Sequence, residues 1–389
     1  MRMLKLSAAI AFGLALAYGA LASPEASAEE GWSADIQVYN PSCTNGDEAC
    51  WAVAQGAGLE IVTYKALDKA DAKHHICVSF PHLKDSYWVG AAYGIIEEGK
   101  RLGQKITLME AGGYTQLEKQ IAQIEDCISN GAEALVFSAI SNDGNVKQIQ
   151  EIRAKGIPVI DLINGVKTPV DAKSLMSYYS MGHTSCKWVA DQHPAGSGKV
   201  KIAWFPGPPG AGWSTGGDAG CNDAVAGSDV EIVQTKWGDT GKEIQLKLVE
   251  DVIQSQTFDG ELALDYIVGV GPAIEGAIAT LRDLDLSGKV KLASYYYTPG
   301  MHMFLQQGRM DMAPTDQMII QARISIDQAV RLLEGKGYAT GGRPEFGDTG
   351  RVIEHAQPVG IIVTPGNIKD FDTSTTLAPK GWVPTFSVD

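Results

Sequence analysis

Three aromatic clusters carry most of the chemical information in this chain: Phe80-Pro81-His82-Leu83-Lys84-Asp85-Ser86-Tyr87-Trp88, Tyr178-Tyr179 and Tyr295-Tyr296-Tyr297. The first and third close apolar runs that read as strands, and the second precedes a crossing between two halves of the chain. In a doubly wound sheet the carboxyl ends of strands open onto the crevice. Aromatic faces gathered there can enclose a methylated nitrogen cation by cation–π attraction, worth about 0.5–2 kcal/mol per good contact. A single tyrosine serves equally well as core filling; three clusters at topologically equivalent places argue for a cleft. The residues singled out as ligand-binding are Trp88, Tyr87, Tyr178 and Tyr296. Two acidic positions join them. Asp85 either caps the helix that opens at Ser86 or presents a carboxylate to the cleft. Asp316-Gln317, after Pro314-Thr315, poses the same alternative.

Reacting groups are harder to find. Gly207-Pro208-Pro209-Gly210-Ala211-Gly212 lacks the Gly-Lys-Ser/Thr of a phosphate-binding loop, and its prolines remove amide donors. Gly269-Val270-Gly271-Pro272-Ala273-Ile274 has Ile274 where a dinucleotide fingerprint needs its third glycine. Both read as tight strand-to-helix turns. No Gly-x-Ser-x-Gly elbow is present. His183 and Cys186 can be drawn as a base and nucleophile, but a helical Cys186 is better read as bridged or buried. His74-His75 lacks metal-ligand spacing, and no Cys-x-x-Cys pair meets a second one. The expectation is a binding protein with no catalytic residue, no metal and no cofactor.

These residues must be held by alternating elements. Ile76–Phe80, Lys105–Met109, 131–137 and Pro158–Asp161 read as strands. Between them run helices, the first with Trp88, Ala92, Ile95, Gly99 and Leu102 on one face at helical spacing. A second series starts after Gly182: helix Thr184–His193, then strands Val200–Phe205, Val230–Thr235, Tyr266–Val270 and Val290–Tyr295 with helices between. Strands alternating with helices predict parallel sheets covered on both faces. The fold class is therefore α/β, with two doubly wound lobes joined by a multi-strand hinge around a cleft. The expected division is 71–180 with 297–315 in the N-terminal lobe and 181–296 with 316–389 in the C-terminal lobe. Residues 29–70 resemble neither series and read as an N-terminal extension.

Length and charge agree with this reading. At 389 residues the chain is long enough for two domains. Its formal charge of -14 repels phosphate backbones, so no nucleic-acid partner is expected. Residues 1–28 have the basic start, apolar run and Ala26-Ser27-Ala28 site of a cleaved secretory signal peptide, with Ala20-Leu21-Ala22 as a second small-residue site. Export to the periplasm makes the six cysteines disulfide candidates. Six cysteines allow 15 pairings; a local Cys43–Cys50 bridge is expected, with Cys77–Cys127 and Cys186–Cys221 as the others.

The stretch Pro81-His82-Leu83-Lys84-Asp85-Ser86-Tyr87-Trp88, with Glu110-Ala111-Gly112-Gly113-Tyr114-Thr115-Gln116-Leu117 and Gln123-Ile124-Glu125-Asp126-Cys127, closely resembles the TorT family of periplasmic binding proteins. Met181-Gly182, Phe205-Pro206-Gly207-Pro208, Asp265-Tyr266-Ile267-Val268-Gly269 and Thr315-Asp316-Gln317-Met318 extend the likeness over roughly residues 75–380. The resemblance implies a type 1 periplasmic binding fold and no catalysis. It implies binding of trimethylamine N-oxide or a related methylated amine, and signalling to the periplasmic domain of a TorS-like sensor histidine kinase. In that family an aromatic cage with a nearby aspartate holds the ligand. Trp88 and Asp85 match through Asp-Ser-Tyr-Trp, Tyr296 matches the cage tyrosine, and Tyr178 stands where the family has a second tryptophan. The alternative on the same fold is the substrate-binding receptor of an ABC importer, with a permease as partner and a sugar or other small solute as ligand.

Overall fold

The computed structural model describes residues 31–39, 59–345 and 348–389. The expected signal peptide and the Cys43–Cys50 bridge lie outside these residues. Two antiparallel strands come first, β1 (Ser33–Tyr39) and β2 (Leu59–Lys65). The alternation then begins with β3 (His75–Phe80), α1 (Ser86–Arg101), β4 (Lys105–Glu110) and α2 (Leu117–Ser129). It continues with β5 (Ala134–Phe137), α3 (Val146–Ala154), β6 (Val159–Leu162) and the short β7 (Ala172–Ser174). The strands β4-β3-β5-β6-β7 are parallel neighbours in that order. β5 and β6 are buried at every position, the signature of a parallel strand covered on both faces. Strand order reverses between β3 and β5, so the loops after them flank a crevice.

The second lobe repeats the plan. Its elements are α4 (Tyr178–Ala190), β8 (Val200–Gly207), α5 (Gly212–Val225), β9 (Val230–Trp237) and α6 (Lys242–Ser255). A small hairpin of β10 (Thr257–Phe258) and β11 (Glu261–Leu262) leads to β12 (Tyr266–Gly269), α7 (Gly271–Asp283), β13 (Lys291–Ser294) and α8 (Pro299–Gln306). Its sheet is β13-β12-β8-β9, all parallel. α4 starts six residues before the expected Thr184. Ser177 caps it, accepting from Ser180 N at 3.2 Å, and Gly182 sits inside the helix rather than before it. A Cβ on Gly182 would lie 2.0 Å from the Gly217 carbonyl oxygen, so glycine is what lets α4 and α5 touch backbone to backbone. Cys186–Cys221 staples the same seam with Cα atoms 5.0 Å apart, while Cys77–Cys127 ties β3 to α2.

The chain then returns through β14 (Ala313–Thr315), followed by α9 (Met318–Leu333), β15 (Arg343–Glu345), β16 (Asp348–Pro358), β17 (Ile361–Val363) and β18 (Ser387–Val388). Here the packing departs from the expected division. α9 lies against α1 and the first sheet: the Ser174 hydroxyl donates to the Gln321 carbonyl at 2.7 Å, and Tyr64 donates to Asp327 at 2.6 Å. β16 pairs with β7 and β1, and β18 pairs with β4. Most of 316–389 therefore joins the first lobe, while α8, inside 297–315, packs on α7 of the second. Counting crossings from sequence placed the return one element too early. α9 is buried over most of its length and reads as core of either lobe. The described residues of 29–70 also differ from expectation: β1 and β2 complete the far edge of the first sheet beside β16. Trp32 Nε1 donates to buried Glu98 at 2.9 Å, which also takes Arg101 and Arg323. Finally, β14 and β17 pair antiparallel and form the hinge strands between the lobes.

Candidate functional site

The loop closing β3 delivers Asp85 in an extended conformation, φ -89° and ψ 131°, at the N-cap of α1. Its Oδ1 accepts the Tyr87 amide at 3.0 Å. Its Oδ2 accepts the Tyr296 hydroxyl from the opposite lobe. The two alternative readings of Asp85 thus hold together: one oxygen caps a helix, the other bridges the cleft. Tyr87, next on α1, sends its hydroxyl to Asp316 Oδ2 at 2.5 Å, and Gln321 Nε2 donates to the same oxygen at 2.6 Å. Trp88 packs its ring 5.0 Å from Phe80 and edge-on to Tyr87 at 5.4 Å.

The second lobe supplies the facing wall. β8 ends at Gly207, whose φ of 109° suits glycine, and the Trp213 ring lies directly where a Cβ would stand, 2.4 Å away. Trp213 stacks on Tyr295 at 5.8 Å and 20°, and meets Tyr296 edge-on at 6.3 Å. Its Nε1 donates across the cleft to the Tyr114 hydroxyl at 3.0 Å, which also accepts from Asn164 at 3.0 Å. Tyr178 sits 6.2 Å from Trp213. At the rim, Asp239 accepts the Tyr114 amide at 3.2 Å and lies 3.5 Å from Lys84 Nζ, while Thr240 Oγ1 meets His82 Nε2 at 3.0 Å. Burial pushes the His82 imidazole down to about 4, so this contact is made by neutral groups. These bonds join the lobes in a closed arrangement.

Together the walls border about 350 Å³ of space unfilled by protein atoms, counted with the solvent at its mouth. Asp85 and Asp316 are its acidic residues, and among the described residues no lysine, arginine or histidine lines it. Burial raises Asp85 to about 6, opposed by the hydrogen bonds from Tyr296 and the Tyr87 amide. Burial raises Asp316 as well, against the bonds from Tyr87 and Gln321. Two wall atoms, Asp316 Oδ1 and the Tyr178 hydroxyl, are buried without a hydrogen-bond partner. Strain is also concentrated here. Ile163, which lines the cavity, has φ 66°, and Gln317, next to Asp316, has φ 54°. A β-branched residue in that region costs on the order of 1–3 kcal/mol and persists where surrounding structure demands it.

Of the residues singled out from sequence, Asp85, Tyr87, Trp88, Tyr178, Tyr296 and Asp316 line this cavity. Gln317 does not. Its side-chain amide donates instead to the Val359 carbonyl at 2.7 Å, which braces the hinge. Tyr297 turns away too, bonding His302 at 2.8 Å and packing on Phe371. Sequence reasoning missed Tyr114, Asn164, Trp213, Thr240 and Tyr295 as wall residues. Tyr114 and Trp213 follow glycines just past the ends of β4 and β8, a signal of the same kind as the clusters that were noticed. Cys186 is bridged, so the drawn pair with His183 has no thiol.

The chain is similar to known proteins over most of its length. A family model described as "Periplasmic binding protein domain" matches residues 76–337. The periplasmic protein TorT of Escherichia coli K12 is 30% identical over 319 residues, covering 82% of this chain and 86% of TorT. A solved ABC transporter solute-binding protein from Bradyrhizobium sp. BTAi1, with bound bis-tris, is 43% identical, with TM-score 0.71 over 91% of this chain and 98% of that one. The TorS sensor domain–TorT complex in the presence of TMAO matches at 31% identity and TM-score 0.69, over 81% of this chain and all of that chain. Among the described residues no helix is long and apolar enough to cross a membrane. Proteins of this family bind solutes rather than transform them, and this chain, TorT-like in sequence and in fold, belongs to the periplasmic binding protein family.

Proposed function

We propose that this protein is a periplasmic receptor whose two lobes close on a small solute bearing a positively charged nitrogen, of the methylated-amine or amine-oxide kind. The observation that carries the reading is the cavity's chemistry. Aromatic faces from both lobes surround a space lined, among the described residues, by two carboxylates and no basic side chain. Such walls attract a cationic centre through the ring quadrupoles and repel an anion. Trp88, Tyr178, Trp213 and Tyr296 form the cage, and Asp85 places charge near the nitrogen. The relatives supply consistent support: one was solved with trimethylamine N-oxide, the other with a hydroxylated tertiary amine. Closure follows from differential affinity, because a ligand touching both lobes favours the closed state.

The receptor then reports to a membrane partner. In the TorT reading that partner is the periplasmic domain of a TorS-like sensor kinase. The 43% identity to an ABC solute-binding protein favours a second reading, delivery to an importer permease. Calorimetry against methylated amines, amine oxides, amino alcohols and sugars tests the ligand class. Binding of a sugar with no response to any nitrogen compound would refute it. Co-purification of the liganded protein with a sensor kinase or with a permease decides between the partners.

A further inference from the structure

Resting on the ligand class just proposed, one buried atom narrows that class further. Asp316 is fully buried at the hinge, and its two oxygens are unequal. Oδ2 takes both Tyr87 and Gln321, whereas Oδ1 lines no hydrogen bond at all. No cationic side chain pairs with Asp316 among the described residues, although a buried carboxylate is ordinarily paired. Asp85 differs in having both oxygens engaged, by its own helix and by Tyr296. Of the two carboxylates in the cavity, Asp316 is the one with an oxygen that meets no hydrogen bond. A second unpartnered group, the Tyr178 hydroxyl, lines the same cavity.

We propose that Asp316 is the specificity-determining residue of the site, its free Oδ1 accepting the N–H of a protonated amine, so that the ligand is an ammonium with a hydrogen-bond donor rather than an amine oxide or a fully quaternised nitrogen. The bound cation supplies the countercharge that the protein withholds from Asp316. A buried acceptor left unmet is costly, so an occupant without a donor forgoes the contact that Asp316 Oδ1 offers. Sites built to meet a hydrogen-bonding group reject analogues that lack it far better than apolar pockets reject a missing methyl. The Tyr178 hydroxyl offers a contact to one oxygen substituent, which makes a methylated amino alcohol a good occupant.

The test is calorimetry at neutral pH with trimethylammonium, N,N-dimethylethanolammonium, tetramethylammonium and trimethylamine N-oxide. Parent protein should bind the two N–H cations at least tenfold more tightly than the other two compounds. Asp316→Asn should weaken all three cations through the lost charge, but the two N–H cations at least tenfold more than tetramethylammonium, a change in selectivity that a merely structural role would not produce. Tyr178→Phe, which keeps the ring, should weaken the hydroxylated cation alone. Equal or tighter binding of the amine oxide or of tetramethylammonium by the parent overturns this assignment and leaves the broader ligand class standing. Failure of all four compounds to bind overturns both. Asp316→Asn retaining the full N–H preference overturns the role of Asp316.

Discussion

Replacing Tyr296 by Phe isolates the bond that spans the cleft at its centre. The ring is kept, with its edge-on contacts to Tyr87 at 5.3 Å and to Trp213 at 6.3 Å. Only the hydroxyl that donates to Asp85 Oδ2 is lost. In an open molecule water can serve that oxygen, so the loss falls on the closed state alone. A hydrogen bond to a charged group is worth about 1.5–3 kcal/mol. At roughly tenfold per 1.4 kcal/mol, closure becomes about 10- to 150-fold less favourable. Affinity for the ligand should fall by up to the same factor, because ligand binds tightly only to the closed form. Stopped-flow and calorimetry together should show a faster dissociation with a nearly unchanged association rate. An affinity within twofold of the parent, or a loss confined to association, would refute the interlobe role of the Tyr296–Asp85 bond.

Other outcomes follow from the same geometry. Trp88→Ala should weaken binding by roughly 1–3 kcal/mol from lost cation–π and apolar contact, and because Trp88 is only 3% exposed it should also lower stability in urea; Trp88→Phe should lose less of each, and parental binding by the alanine variant would place Trp88 in the core alone. Asp85 titrates near 6 in the folded chain against an ordinary 3.8, so the folded form holds a proton that the unfolded form releases between those values. Its contribution therefore makes stability fall as pH rises from about 4 to 6, by up to about 3 kcal/mol, and then level off; urea titrations of Asp85→Asn should lack this part of the slope, and an unchanged slope would show that Asp85 is not its source. Gly182→Ala forces a methyl onto the Gly217 carbonyl and should destabilise by about 1–3 kcal/mol, read as a lower urea midpoint; a midpoint equal to the parent's would mean that α4 and α5 can separate freely. Thiol titration of the exported protein, denatured without reductant, should find no free cysteine, and two or more free thiols would remove a bridge.

Local chemistry was legible in the sequence where it was contiguous. The run from His82 to Trp88 contains the helix-capping carboxylate and a tryptophan that both line the cavity, and alternation of apolar runs revealed both parallel sheets. What escaped was set by distant packing. Gly182 reads as lying just before a helix that starts at Thr184 unless Gly217 is known to lie against it. Asp316 and Gln317 are neighbours of similar polarity, yet a left-handed turn at Gln317 sends one side chain to the cavity and the other to Val359. Likewise the lobe to which α9 belongs depends on contacts with α1 and the first sheet, and its own nearly uniform burial carries no trace of them.

The double use of Asp85 bears on timing. Because the Tyr87 amide already fixes that carboxylate within the first lobe, an open molecule meets its ligand with this group in place, and arrival need wait on no rearrangement there. Departure is different. An occupant of the closed cavity leaves only after the bonds of Tyr296 to Asp85, of Trp213 to Tyr114 and of Asp239 to Tyr114 have parted together. The lifetime of an occupied cavity is then the lobes' opening time rather than the occupant's own escape time, and in the receptor proposed above a scarce solute would be held for a long dwell instead of a brief collision.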